Sequence, residues 1–409
     1  MDRQRIKLFT GGKKSFEAIF EAIQNSNKHI YINMFIWRDD IIGNELAKAL
    51  LMAANRGVKV IISKDKLGML FEYGEEYKKS FFHHNLWSRW YLQSVILDKM
   101  YPMHGKSKQM LLSKDIKVNP LFTEIINHKN IIVKNKRVKM DHSKYYIFDN
   151  EVLIIGGVNV EDKEVTNDVT GRAYHDYMVK IRDKSVVKNF KRALSTVQKP
   201  LSKSDHQLIN RSNSKSISLK NIWQSYETTP ISFIYNHTVA GNKYYSVRES
   251  IIDLLNEATK SVVIVMAYIG DQKINATILN LIQKGIYVTI IMAQSANLQQ
   301  DLNMRHLENL MKLSNNKLIV YLNPKMIHAK LIKIDDNLMT VGSCNLNTQA
   351  MDVLLELNIV IRKRADGETA QYFEDLDESI GRLIESSISI ITYQEIKYKK
   401  WKAFLENLV

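Results

Sequence analysis

Apolar residues recur three and four apart in SFEAIFEAIQNS, from Ser15 onward, then run continuously through HIYINMFIW. They resume the helical spacing in NELAKALLMAANR and run continuously again in GVKVII. The same succession returns between Ser246 and Met292, as SVRESIIDLLNEA, SVVIVMAYI, NATILNLIQK and GIYVTIIM. Spacing of three and four marks a helix with one buried stripe, whereas a short run rich in Val and Ile marks a strand buried on both faces. The pattern therefore predicts helix, strand, helix, strand, twice over. Strands separated by helices form βαβ units, whose sheet is covered on both faces. Gly57 and Gly285 stand where the second helix of each block must stop before its strand begins.

Between the two blocks the periodicity gives way to polar sequence, QKPLSKSDHQLINRSNSKS, which predicts an interdomain linker beginning near Ser185. The expected division is a first half-domain over residues 1–184, a linker region over 185–230 and a second half-domain over 231–409. From the block glycine to the histidine discussed below there are 85 residues in the first half and 43 in the second. The first half thus carries about 42 extra residues, expected within 66–119, a stretch rich in aromatics such as Phe71, Tyr73, Phe81, Phe82, Trp87 and Trp90. Two readings stand for it: a helical subdomain with its own core, or a lid or membrane-contacting element beside the active site. The C-terminal EIKYKKWKAFLENLV is a basic amphipathic helix pattern that either docks on its own domain or touches a membrane surface.

With 409 residues, 45% of them hydrophobic, the chain can bury a substantial core over two or three domains. Its apolar runs have strand length, far short of the roughly 18 to 20 residues of a membrane-spanning helix. The opening MDRQRIKLFTGGKKS lacks the apolar centre of a signal peptide, and the single cysteine, Cys344, fits a reducing compartment. The cytoplasm is therefore the expected location. A net charge of +15 attracts polyanions, either nucleic acid or an anionic membrane face, or is a solvated basic surface with no specific partner.

Two copies of a sparse pattern, H-x-K-x4-D-x6-G-[GS]-x-N, lie 186 residues apart, from His142 to His328. The first carries His142, Lys144, Asp149, Gly156, Gly157 and Asn159, and the second His328, Lys330, Asp335, Gly342, Ser343 and Asn345. In a strand, residues two apart face the same way, so each motif presents an imidazole beside an ammonium. A turn at each aspartate and another at the small residues would return Asn159 and Asn345 to the same point. Lysine and asparagine supply the donors, and lysine the charge, that non-bridging phosphoryl oxygens require. Two such sets facing each other make one site with two histidines. One histidine can attack phosphorus, forming a phosphohistidine, while the other protonates the leaving alkoxide and later deprotonates the incoming alcohol or water.

A carboxylate on each imidazole would fix its tautomer, and Asp176 and Glu356, beside the strand patterns YMVKI and LNIVI, are the candidates. Asp149 and Asp335 are read as structural. His29, His83, His84, His104, His128, His206, His237 and His306 are read as packing or hydrogen-bonding residues, and no pair among them has a zinc-ligand spacing with cysteines or carboxylates. No phosphate-binding G-x4-G-K-[ST] loop or dinucleotide fingerprint is present, so neither a metal nor a nucleotide cofactor is expected.

These motifs resemble the signature of the phospholipase D superfamily, and the blocks before them extend the resemblance over nearly the whole chain. The resemblance implies two pseudo-twofold-related α/β/α sandwich half-domains with one active site at their interface. It implies metal-independent phosphodiester transfer through phosphohistidine, with His142, Lys144, Asn159, His328, Lys330 and Asn345 as the matching, catalytic positions; Asp149, Asp335, Asp176, Glu356 and Ser343 are expected to support them. FIWRDDIIGNELAKALLMAANRGVKV is similar to bacterial cardiolipin synthases and related phosphatidyltransferases; cardiolipin synthases join two phosphatidylglycerol molecules and release glycerol. The chain departs from them at Ser143 and Tyr145, where HRK-type sequences are common, in VNVEDKEV after the glycines, and in lacking the N-terminal membrane helices of many members. The expectation is an enzyme on anionic, phosphatidylglycerol-like lipid, peripheral to the inner membrane face. The alternatives are a nuclease or other phosphodiesterase on nucleic acid, and a non-catalytic lipid- or polyanion-binding protein.

Overall fold

The structure, a computed structural model, describes residues 5–74, 80–84, 118–165, 173–198, 230–239, 242–244, 246–364, 367 and 369–407. The first half contains β1 (Ile6–Thr10), α1 (Gly12–Asn25), β2 (His29–Met34), α2 (Ile41–Asn55), β3 (Lys59–Lys64) and α3 (Gly68–Gly74). It continues with α4 (Pro120–Asn127), β4 (Ile131–Lys134), β5 (Lys144–Phe148), β6 (Val152–Gly156), α5 (Asp162–Val165), β7 (Tyr177–Arg182) and α6 (Lys184–Gln198). The second half contains β8 (Ile231–Tyr235), a small hairpin of β9 (His237–Val239) and β10 (Asn242–Tyr244), α7 (Val247–Leu255), β11 (Ser261–Met266), α8 (Gln272–Gln283) and β12 (Tyr287–Ala293). After these come α9 (Gln300–Leu313), β13 (Ile319–Asn323), β14 (Lys330–Ile334), β15 (Leu338–Gly342), α10 (Thr348–Asp352), β16 (Leu357–Arg362), α11 (Ala370–Glu385), β17 (Ile388–Ile390) and α12 (Lys400–Glu406).

Each predicted block forms its helix, strand, helix, strand. Asp40 caps α2 by accepting the Gly43 N–H, and Asp271 caps α8 by accepting those of Lys273 and Ile274. Gly57 and Gly285 take left-handed φ values of 97° and 85°, which let the chain leave each helix for the following strand.

The two sheets have one topology. The first runs β1-β7-β6-β5-β2-β3-β4, and the second runs β8-β16-β15-β14-β11-β12-β13, with β17 added beyond β13. In each, the strands of the βαβ block and the one after it are parallel, and the motif strands follow antiparallel beside them. The sheets are mixed because the hairpins carrying the motifs, β5–β6 and β14–β15, join strands directly without a crossover helix.

Three apolar clusters fill the molecule. One lies under α1 and α2 in the first half, with Phe16, Ile19, Leu46 and Leu50, and one under α7 and α8 in the second, with Ile251, Ile278 and Leu281. The third joins the halves, packing Tyr145, Ile155 and Tyr177 of one sheet with Leu331, Val341 and Ile359 of the other. Helices α6 and α11 enter this middle layer through Phe190 and Tyr372. The segment read as linker from Ser185 therefore begins with a helix of the first half, because Val186, Val187, Phe190 and Leu194 make a buried stripe among its lysines and serines. Residues 199–229 of that segment lie outside the described residues.

Of the 66–119 insertion, residues 66–74, which hold α3, 80–84 and 118–119 are described, and Phe81 and Phe82 pack against Trp37 in the first-half core. Trp87 and Trp90 lie outside the described residues. At the C-terminus, α12 turns Ala403 and Glu406 inward, and Glu406 accepts the Leu302 N–H of α9 at 2.7 Å. The helix docks by its small and acidic face. Trp401 and Phe404 remain 65% and 60% exposed.

Candidate active site

Each histidine precedes its motif strand, on a segment that crosses to the other half. Asp141 forms a parallel bridge with Leu355, and Ile327 forms one with His175. The His142 N–H donates to the Leu355 carbonyl at 2.9 Å, and the His328 N–H donates to the His175 carbonyl, also at 2.9 Å. One residue further along each bridge, a histidine of one half stands beside a carboxylate of the other. His142 Nδ1 lies 3.0 Å from Glu356 Oε1, and His328 Nδ1 lies 2.8 Å from Asp176 Oδ2. Backbone register thus sets both imidazole–carboxylate pairs.

With Nδ1 donating to the carboxylate, Nε2 of each ring is left with its lone pair. Phe35 packs edge-on against His142 at 4.8 Å between ring centres, and Tyr174 stacks on His328 at 5.2 Å. Both rings are buried, which lowers their pKa values. Glu356 opposes that shift at His142, whereas the charges of Lys330 and Lys144 add to it at His328.

The lysines lie two residues on and point back. Lys144 Nζ donates to the His142 carbonyl at 2.6 Å, and Lys330 Nζ donates to the His328 carbonyl. Burial, with Lys330 as a like charge, brings Lys144 down to about 7. Burial also lowers Lys330, and Asp176, 3.7 Å from its Nζ, counteracts this. Two ammoniums from opposite halves that repel each other mark a point where an anion is stabilised.

Asn159 and Asn345 are buried, and the Oδ1 of each has no hydrogen-bond partner among the described residues. Asp149 and Asp335 lie away from this point. Asp149 accepts the N–H groups of Asn27, Lys28 and His29, each at 2.8 Å, and Asp335 accepts those of Thr259, Lys260 and Ser261. Each ties its motif hairpin to the start of the neighbouring strand. Burial works against ionisation there, but the donors prevail, and Asp335 is held down to about 2. At the turns themselves Asp149, Asn150 and Asp335 adopt left-handed φ values of 50°, 60° and 47°, as a tight hairpin requires. Ser343 donates its hydroxyl to Glu356, so it supports the His142 pair.

The family profile described as "Cardiolipin synthase, PLD-like domain" matches residues 19–197 and 251–379, well over half of the chain. The chain belongs to this family. Cardiolipin synthase 1 of Bacillus cereus is 23% identical over 374 residues, which cover 88% of this chain and 64% of that protein. Cardiolipin synthase B of Salmonella typhi is 24% identical over 373 residues, covering 89% of this chain and 78% of that one. The chain spans a little under two thirds of the Bacillus protein's length. In fold it is similar to a phosphatidylserine synthase of Haemophilus influenzae Rd KW20, with a TM-score of 0.64 at 16% identity over 99% of this chain and 92% of that one.

Three charged residues of this family member's site escape the motif. Glu161, buried, would be raised by burial but is held down to about 2 by Lys163 and Arg38, whose Nε donates to it at 2.6 Å. Lys163 also lies 4.7 Å from the centre of the Tyr174 ring that stacks on His328. Glu164, fully enclosed, has Oε1 3.6 Å from His328 Nδ1. All three lie in VNVEDKEV, and its density of charge directly after a strand was their one signal in the sequence.

Proposed function

We propose that the chain transfers phosphodiester groups of phospholipids through a phosphohistidine, as a phosphatidyltransferase of the cardiolipin synthase kind or as a phospholipase D. The observation that carries this reading is the pair of imidazoles, each held at Nδ1 by a carboxylate from the opposite half, with the buried Lys144 and Lys330 reaching back to the histidine carbonyls and close enough to repel each other. One Nε2 attacks phosphorus, the P–N bond forms, and the bond to the leaving alkoxide breaks. The other imidazole, protonated at Nε2, gives the alkoxide its proton. An acceptor hydroxyl then returns a proton to that same Nε2 and attacks phosphorus, and the P–N bond breaks. Lys144, Lys330, Asn159 and Asn345 hold the non-bridging oxygens through both steps.

The catalysis is metal-free in this reading. Glu164, Asp176 and His328 present ligand-type atoms within 4.8 Å of one another, but the Lys330 ammonium 3.7 Å from Asp176 opposes a divalent cation there. The substrate is an anionic lipid such as phosphatidylglycerol, met at the inner membrane surface. Supporting this are the net charge of +15 and the exposed Trp401 and Phe404 of α12 beside the exposed Lys399 and Lys400. Among the described residues no helix is long and apolar enough to cross a membrane.

The test is incubation of purified protein with phosphatidylglycerol vesicles in the presence of chelator, followed by lipid analysis. Cardiolipin with free glycerol identifies a transferase, and phosphatidic acid a hydrolase. Neither product, together with chelator-resistant cleavage of DNA or RNA, would replace the lipid substrate by nucleic acid.

A further inference from the structure

The two imidazole–carboxylate pairs have unequal surroundings. On the His142 side, Ser343 gives its hydroxyl to Glu356, and the fifth residue after the motif asparagine is the buried Ala350. On the His328 side, Gly157 stands at the position of Ser343. A Cβ there would meet both carboxylate oxygens of Asp176 at 2.4 Å, so no side-chain hydroxyl can take that place. The fifth residue after Asn159 is instead Glu164, 2% exposed. One oxygen of Glu164, one of Asp176 and His328 Nδ1 lie within 4.8 Å of one another. Glu164 Oε1 accepts the Asn159 N–H at 3.3 Å, and its Oε2 is buried with no partner among the described residues.

We infer that Glu164 carries a proton and directs it at Asp176, supplying on the His328 side the donor that Ser343 supplies to Glu356. It is a positioning residue: it acts on His328 through Asp176, and its place in the reaction rests on the phosphoryl-transfer reading above. Two carboxylates this close in a buried site do not both ionise, and the one without a cationic partner takes the proton. Burial raises both carboxyls, but Asp176 has Lys330, the Tyr177 N–H and, at 2.8 Å, His328 Nδ1 to favour its charge, whereas Glu164 faces Asp176, Glu161, the neutral Tyr146 hydroxyl, His328 Nδ1 at the longer distance of 3.6 Å and, at greater reach, Lys330 and Lys144. Glu161 is itself occupied by Arg38 and Lys163. Burial and the charges of Asp176 and Glu161 raise Glu164 well above the ordinary carboxyl range, in agreement with this placement.

An ionised Glu164 would add a negative charge beside Asp176, close to where a phosphodiester anion must bind, and the protonated form removes that repulsion.

Isotope-edited infrared spectra of the wild type and Glu164→Gln at neutral pH test this directly. A carboxylic-acid C=O band present in the wild type and absent from the variant is expected; a wild-type spectrum with no such Glu164-dependent band overturns the inference. Turnover supplies a second readout. The amide introduced by Glu164→Gln would offer an N–H to Asp176, so this variant is expected to retain activity within a few-fold, whereas a folded Glu164→Ala loses about tenfold or more. Equal losses in the two variants would contradict the donor role. The infrared measurement needs no substrate, so it stands or falls separately from the lipid-transfer assay.

Discussion

His142 Nδ1 lies 3.0 Å from Glu356 Oε1, although 214 residues separate the two in the chain. The parallel bridge of Asp141 with Leu355 sets this distance, and the bridge of Ile327 with His175 sets its counterpart at His328. Neither half can therefore orient its own histidine.

Replacing Glu356 with Gln keeps the shape but removes the charge that favours the imidazolium. Turnover is expected to fall by roughly a hundredfold or more. The apparent pKa of His142 should fall as well, displacing the pH profile of kcat/KM toward lower pH. A single His142→Asn or His328→Asn substitution should remove turnover by several orders of magnitude, because in the proposed mechanism each ring serves a separate step. Steady-state kinetics across pH, with melting curves to verify folding, read all three variants.

Asp335 makes its contribution outside the chemistry. Its pKa in the folded chain is held down to about 2, below the ordinary carboxyl value near 4. The stability it contributes is therefore present above about pH 4 and is lost as pH falls toward about 2. Asp335→Asn should destabilise the fold by on the order of 1 kcal/mol at neutral pH, since backbone donors lose an ionised acceptor. Melting temperatures measured from pH 7 downward should converge for variant and wild type.

Gly157 is required by a close approach. An alanine Cβ would meet Asp176 at 2.4 Å, so Gly157→Ala must push the carboxylate away from His328. Activity should fall by about tenfold or more while the fold remains, because the collision is with a side chain at the site and not with the sheet. Kinetics and far-UV circular dichroism on the same preparation measure both effects.

Much of this was legible in the sequence, and the reason is local. Block periodicity predicted the βαβ units because the stripe residues, such as Phe16 and Ile19, are neighbours on one helix. Motif spacing located His142, Lys144 and Asn159 because hairpin geometry converts spacing into direction. The cross-half pairing of Asp176 with His328 was not legible, because it depends on how two separate sheets meet. Glu164 was missed for a related reason: nothing in VNVEDKEV marks which of its charges turns inward, and the second repeat has Ala350 at that position. The helix Lys184–Gln198 was hidden because its four-residue apolar stripe is diluted by lysine and serine.

Membrane attachment in the proposed reading depends on α12. Trp401 and Phe404 stand out into solvent beside lysines, a composition that favours the boundary of an anionic bilayer. A Trp401→Ala, Phe404→Ala double variant should sediment several-fold less with phosphatidylglycerol vesicles while its melting temperature is little changed. Equal sedimentation would assign the attachment to another surface.

The most direct test of the two-histidine account is the stereochemical course at phosphorus, followed with a phosphatidylglycerol analogue made chiral there by sulfur substitution. Attack by one histidine and then by the acceptor makes two in-line displacements, each inverting the centre. The account predicts a product with net retention. Net inversion, the mark of a single direct displacement, would contradict it.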